Sequence, residues 1–203
     1  MNPEDQARQD IDKMLIASGW IIQDYEDRNL SESLGVAVRE YPLSKDNADY
    51  ALFIDSQPVG VVEAKKYGHT LSGVVEQSEK YLDGLNEKFT SAPIRPPFSY
   101  ETTGIETTFA DRRDPNHRSR HVFTFHRPEL LQIWYNEETT LRARLSDIPK
   151  LNFDKLWDCQ SEAITNLEDS FSQNKPRALI QMATGSGKTF TAVTSIYRLI
   201  KFA

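Results

Sequence analysis

The sequence predicts an α/β protein: a mixed sheet flanked by helices, followed by a separate strand–helix unit. Two stretches carry that prediction. Residues 49–65, DYALFIDSQPVGVVEAK, hold two apolar runs of strand length separated by Asp55-Ser56-Gln57-Pro58, all turn formers. Residues 178–203 hold a short apolar run, a Gly-rich stretch and then a helical pattern. Helix-type and strand-type segments alternate through the rest of the chain, as they do in α/β domains.

Each element follows from local chemistry. Asn2-Pro3-Glu4-Asp5 is a helix start, with a capping Asn, Pro at the first helical position and acids in the first turn. Ala7, Ile11, Met14 and Leu15 continue an apolar stripe to a stop at Gly19. Trp20-Ile21-Ile22 reads as a short strand and Val36 to Tyr41 as another, ended by Pro42. In the hairpin that follows, pairs summing to 112 would set Ile54 opposite Pro58 and Asp49 opposite Glu63. A helix is expected from Leu71 to Leu85, with Gln77 and Tyr81 on one face. Strands are expected at 98–102, 105–109 and 122–125, and Pro128 opens a helix through Trp134. A domain boundary is expected within 146–152, around Pro149. Beyond it, Leu156, Cys159, Ala163, Ile164, Leu167 and Phe171 mark an amphipathic helix, and 178–182 a buried-type strand.

Length and composition bound the function. The 203 residues suffice for one large or two modest domains. No apolar run reaches the roughly 18 residues of a membrane span, and the opening MNPEDQARQD is too acidic for a secretory leader. A cytoplasmic protein without membrane contact is expected. Cys159 is the only cysteine, which excludes an internal disulfide and a cysteine-rich zinc site. His69, His117, His121 and His126 lack the companion ligands of a zinc site. A net charge of −6 gives no general attraction to nucleic acid, so any DNA contact has to come from a local basic patch. The stretch with Arg112, Arg113, Arg118, Arg120 and Arg127 is the candidate, and a solvated charged loop accounts for it equally well.

Two constellations carry chemistry. Like charges directly opposed on a hairpin destabilise it. A divalent cation shared by Asp49 and Glu63 would offset that, with Lys65 beside them to stabilise an anion. A salt-bridge cluster at a hairpin end would show the same spacing. The second constellation is Ala183-Thr184-Gly185-Ser186-Gly187-Lys188-Thr189, a P-loop in strand-to-helix context. Its backbone amides would cradle phosphate, Lys188 would reach the β and γ phosphates of ATP, and Thr189 would ligate Mg²⁺. Met182 stands where the general pattern has its first Gly, a departure that suits helicase-type loops. Gln160, on the preceding helix, is the candidate to bind the adenine edge.

These motifs, in this order, resemble the restriction (R) subunit of type I restriction enzymes along the whole chain. The carriers are Ala48-Asp49-Tyr50, Val61 to Lys65, Gln77 to Tyr81, Phe125 to Glu129 and Gln181 to Thr189. The first three resemble the PD-(D/E)xK nuclease core with its QxxxY addition, and the last resembles motif I of superfamily-two helicases. The resemblance implies a restriction-endonuclease-like domain at 1–147 and the start of a RecA-like helicase domain at 148–203. Asp49, Glu63 and the Ala64 carbonyl would hold Mg²⁺, Lys65 would act on the attacking water or the developing charge, and Gln77 and Tyr81 would support the site. An acid on or near the first helix often joins such sites; Glu4, Asp10, Asp12, Glu26 and Glu32 all qualify.

The implied activity is Mg²⁺-dependent cleavage of double-stranded DNA coupled to ATP-driven translocation, remote from a site read by separate specificity and modification (methyltransferase) subunits. No Walker B acid follows the P-loop, so a longer chain is expected to complete the ATPase. A repair helicase-nuclease without a methyltransferase, and a non-catalytic DNA-binding or ATP-switch module, are the competing readings.

Overall fold

The computed structural model describes residues 3–43, 46–66, 68, 71, 75–90, 95–115, 117–152, 155–173, 175 and 177–203; the side chains of 3–5 and 75–78 lie outside that description. The chain divides into two compact units, residues 1–113 with 117–137, and 114–116 with 138–203.

The first unit is a seven-stranded mixed sheet in sequence order, β1 (Ile21–Asp24), β2 (Gly35–Pro42), β3 (Asn47–Ile54), β4 (Gln57–Ala64), β5 (Phe98–Thr102), β6 (Thr107–Asp111) and β7 (Arg120–Val122). Two neighbouring pairs, β1–β2 and β4–β5, are parallel. Parallel neighbours need a crossover, and α2 (Val75–Lys88) lies on the one between β4 and β5. The sheet separates two cores. Ile11 and Leu15 of α1 (Pro3–Ala17) and Leu131 and Tyr135 of α3 (Pro128–Asn136) pack with Tyr50, Leu52, Val62 and Tyr100. Leu82 and Leu85 of α2 pack with Val38, Ala51, Phe53 and Val61. Helices on both faces explain why β3 and β4 read as near-continuous apolar runs.

The hairpin closes differently from the expected pairing at its turn. Ile54 faces Gln57, not Pro58, and only Asp55 and Ser56 form the turn. Both have left-handed backbones, φ 48° and 63°, the conformation that matches strand twist in a two-residue turn. An irregularity between Leu52 and Phe53 then restores the expected register, so Leu52 faces Gly60 and Tyr50 faces Val62. That register, continued by one pair, sets Asp49 opposite Glu63.

Other elements shift for local reasons. The strand expected at 105–109 begins at Thr107, because the Thr102 and Thr103 hydroxyls hydrogen-bond the backbone of residues 104–106 and hold them in a turn. The strand expected at 122–125 is β7, ending at Val122; Phe123 is fully exposed and Phe125 is buried without being in the ladder.

The second unit holds α4 (Leu141–Leu145), α5 (Asp158–Ser172) and α6 (Lys188–Phe202). Sequence reasoning missed α4, which is only five residues long and is capped by the Thr140 hydroxyl accepting from the Ala143 amide. Residues 178–182 form no strand. A strand needs a ladder, and among the described residues none is paired with this segment. Leu179 is 92% exposed, and a cavity of about 460 Å³ separates the segment from α5.

Candidate functional site

The first site lies at the end of β3 and β4. Asp49 Oδ2 accepts from the Ala64 amide at 2.8 Å, which ties the carboxylate to the neighbouring strand. Asp49 Oδ1 accepts from Arg8 of α1 at 3.1 Å. Glu63 is buried, at 5% exposure; its Oε1 pairs with Lys65 Nζ at 2.8 Å, and its Oε2 is buried with no hydrogen-bond partner among the described residues. The geometry therefore brings Asp49, Glu63, Ala64 and Lys65 together as expected.

Burial pushes the Glu63 carboxyl above its ordinary range; Lys65 pulls it back, while Asp49 and Glu101 push it further. Burial also raises Asp49, opposed by the Ala64 amide and Arg8 and assisted by Glu40. Two acids that resist ionising and an orphaned carboxylate oxygen are the surroundings a cation relieves. Among the described residues no three His, Cys, Asp or Glu side chains already converge as a metal cage. The donor set that fits an ion is thus two carboxylates plus a backbone carbonyl, with water completing the shell, as Mg²⁺ commonly requires.

Tyr81 packs at the margin of the core beneath α2, while the side chain of Gln77 lies outside the described residues. Three of the five acids proposed from the first helix onward are engaged elsewhere. Asp12 accepts from Arg39 at 2.8 Å and from the Tyr50 hydroxyl at 2.8 Å, and Asp10 pairs with Lys13. Glu32 accepts from the Gln23 side chain, and Glu26 is exposed. The Glu4 side chain lies outside the described residues.

Three residues at the site were missed in the sequence. Arg8 reaches Asp49; Glu40 of β2 pairs with Arg8; Glu101 of β5, 1% exposed, is the ladder neighbour of Glu63. An acid inside the otherwise strand-like FSYET was the one available signal, for Glu101.

The second site is the loop 183–189. Gly185 and Gly187 have φ 82° and 79°, and Gly187 caps α6. Lys188 Nζ donates to the Ala183 carbonyl at 3.0 Å, and the Ser186 hydroxyl to the same oxygen at 2.7 Å. Thr184 and Thr189 are exposed. The helix N-terminus and the curled backbone suit an anion. Gln160 is 4% exposed and its amide is committed to the protein's own backbone: Oε1 accepts from the Trp157 amide at 3.0 Å and Nε2 donates to the Ser186 carbonyl at 2.9 Å. The expected adenine contact would require those bonds to exchange.

The basic stretch divides. Arg112 pairs with Glu79 at 2.5 Å and with Asp83 at 3.0 Å; Arg113 pairs with Asp111 at 2.8 Å and donates to the Trp134 carbonyl. Their charges are spent within the protein. Arg118 and Arg127 are exposed and Arg120 half-buried.

Residues 31–96 match the family model described as the second domain of the type I restriction enzyme EcoKI endonuclease subunit, and residues 154–203 match that of the type III restriction enzyme res subunit. The chain is similar to the type I restriction enzyme EcoKI endonuclease subunit of Escherichia coli (strain K12), at 26% identity over 252 aligned positions, covering 98% of this chain and 21% of that protein. It thus spans about a fifth of that relative's length. A solved fragment assigned to the HsdR subunit of a type I restriction enzyme from Vibrio vulnificus YJ016 aligns with a TM-score of 0.49 at 22% identity, over 98% of this chain and 38% of that one. Nearly the whole chain is therefore similar to a type I restriction-enzyme endonuclease subunit, and residues 154–203 are similar to the type III restriction enzyme res subunit. No described helix is long and apolar enough to cross a membrane.

Proposed function

We propose that the chain carries the nuclease of a type I restriction subunit and the opening of its translocase, with 1–147 as the endonuclease domain and 148–203 as the start of the first helicase domain. The observation that carries the reading is the buried Glu63 Oε2 beside Asp49, unpartnered among the described residues, with Lys65 held against the same carboxylate. A structural salt bridge gains nothing from leaving one carboxylate oxygen buried and unpaired, which costs about 1–3 kcal/mol or more for a charged group; a metal ligand does.

Asp49, Glu63 and the Ala64 carbonyl would hold Mg²⁺, which when bound polarises the scissile phosphate and activates water. The remaining work belongs to the chain. The Ala64 amide fixes Asp49 Oδ2 and so sets the direction of Oδ1. Lys65 Nζ stands 2.8 Å from Glu63 Oε1, where its charge would meet the charge developing on the phosphate oxygens or orient the incoming water. Tyr81 and Gln77, from α2, would support the site. In the second unit the loop 184–189 would bind the phosphates of ATP, with Lys188 leaving the Ala183 carbonyl for the γ phosphate and Thr189 ligating Mg²⁺.

The substrate is double-stranded DNA, cleaved away from the recognition site after ATP-driven translocation in the cytoplasm. Modification and specificity subunits would supply sequence recognition. The test is cleavage of a supercoiled plasmid bearing the recognition site, with Mg²⁺, ATP and the partner subunits. Asp49→Ala and Lys65→Ala are each expected to reduce cutting by about a hundredfold or more while ATP hydrolysis persists. Wild-type cutting by either variant would remove the assignment.

A further inference from the structure

Each acid of the metal-site pair is tied to a cation of the chain. Lys65 on Glu63 is used by the proposed hydrolysis. Arg8 on Asp49 is not, and its surroundings are unusual. Arg8 touches Asp49 Oδ1 at 3.1 Å and also pairs with Glu40. Glu40 lies in β2 between the ladder pairs Arg39–Tyr50 and Tyr41–Ala48, where its opposite number is Asp49. Its backbone is left-handed, φ 46°, which costs a non-glycine residue about 1–2 kcal/mol. Strain of that kind persists only where the surroundings hold it, and it collects at functional sites. The result is one guanidinium shared between two facing carboxylates.

We propose that Arg8 is a positioning residue that holds the place of the divalent cation on Asp49, and that Glu40 is the acceptor onto which it withdraws when the cation binds. This rests on the reading of Asp49 and Glu63 as metal ligands. Asp49 Oδ2 is taken by the Ala64 amide, so Oδ1 is the oxygen left to turn to an ion, and it is the oxygen Arg8 holds. Metal binding there is an exchange of one cation for another. Arg8 already touches Glu40, so the exchange needs no new partner. Without Arg8, two facing carboxylates would be uncompensated and would draw a cation more strongly.

The proposal gives opposite signs for its two residues. Arg8→Gln removes the competitor and tightens the ion. Glu40→Gln removes both the retreat for Arg8 and a negative charge near the ion, and loosens it. Arg8 and Glu40 side chains are each 47% exposed, so solvent screening limits the change to about two- to tenfold in dissociation constant.

The experiment is calorimetric titration of the protein with Mn²⁺ in the absence of DNA and nucleotide. Each variant is referred to the same variant carrying Glu63→Gln, which isolates this site. Arg8→Gln should bind Mn²⁺ more tightly than wild type, Glu40→Gln more weakly, and Arg8→Lys close to wild type. In chelator, Arg8→Gln should melt below wild type, and the gap should close at saturating Mn²⁺. If Arg8→Gln binds Mn²⁺ no better, or the two variants shift in the same direction, Arg8 is merely structural and the proposal falls alone. If wild type shows no Glu63-dependent Mn²⁺ uptake, the metal-site reading fails and takes the proposal with it.

Discussion

The two candidate sites are built in opposite ways. At the end of β3 and β4, charge is placed by side chains on a sheet covered on both faces, and each acid is held by a specific cation or amide. The loop 183–189 is shaped by two left-handed glycines and exposed to solvent along most of its length, with its backbone amides and the Lys188 and Thr189 side chains as the candidate ligand groups. The first site should answer to changes of charge and pH. The second should answer most strongly to changes of backbone shape.

The largest expected effect is at Gly187. A Cβ there would lie 2.3 Å from Gln160 Nε2, and φ of 79° strains any L side chain. Backbone strain and loss of the Gln160–Ser186 bond together amount to about 3 kcal/mol, or roughly a hundredfold. Gly187→Ala is therefore expected to weaken binding of a fluorescent ATP analogue by about that factor. Gly185 has φ 82° but open space around it. Gly185→Ala should show the strain alone, about tenfold. Equal losses would mean that the Gln160 brace plays no part in shaping the loop.

The next effect distinguishes the sites by pH. Asp49 and Glu63 are both raised above their ordinary values by burial. The native state therefore holds protons that the unfolded chain has released, and stability falls as pH rises through the folded values. In chelator, the melting temperature of wild type should drop relative to the Asp49→Asn/Glu63→Gln double variant between about pH 4 and neutrality. Saturating Mg²⁺ should reverse the order at neutral pH, because only wild type keeps its carboxylate ligands. A difference that does not change with pH would mean that the acids are not held in a strained, uncompensated state.

The contrast also explains what the sequence disclosed. Asp49, Glu63 and Lys65 were legible because strand alternation and hairpin register convert spacing into proximity, and the register held at that end. The turn was misread because Asp and Ser can occupy left-handed positions usually filled by Gly or Asn, which moved the turn and required an irregularity two strand positions later. Arg8, Glu40 and Glu101 were not legible. Their places depend on α1 crossing the sheet end and on β5 pairing parallel to β4, and neither is encoded in local spacing. The strand at 178–182 was read from composition, but a strand is a property of a ladder, and no described segment supplies one.

Gln160 gives a smaller and more discriminating test. Its amide is satisfied at both ends by backbone groups of the second unit. Gln160→Ala leaves the Trp157 amide and Ser186 carbonyl without their partner, at about 1–2 kcal/mol, or roughly tenfold in nucleotide affinity. The loss should be equal for ATP and GTP, because what is lost is the shape of the phosphate loop. A loss confined to ATP would show that the amide leaves the loop to read the adenine edge.

The smallest effect concerns the arginines of the stretch 112–127. Arg112 is already neutralised by Glu79 and Asp83, and Arg113 by Asp111. A guanidinium so engaged releases no counterion when DNA arrives, whereas each free cation that meets a phosphate contributes about one to the slope of log affinity against log salt. Arg112→Gln and Arg113→Gln should therefore leave that slope unchanged while lowering stability by about 1 kcal/mol. Arg127, exposed at the start of α3, should reduce the slope by about one when changed to Gln if this stretch meets the DNA backbone. A fall in slope for Arg112→Gln would mean that its ion pairs open on binding, so that the charges of the first unit are reserves for DNA as well as braces for the fold.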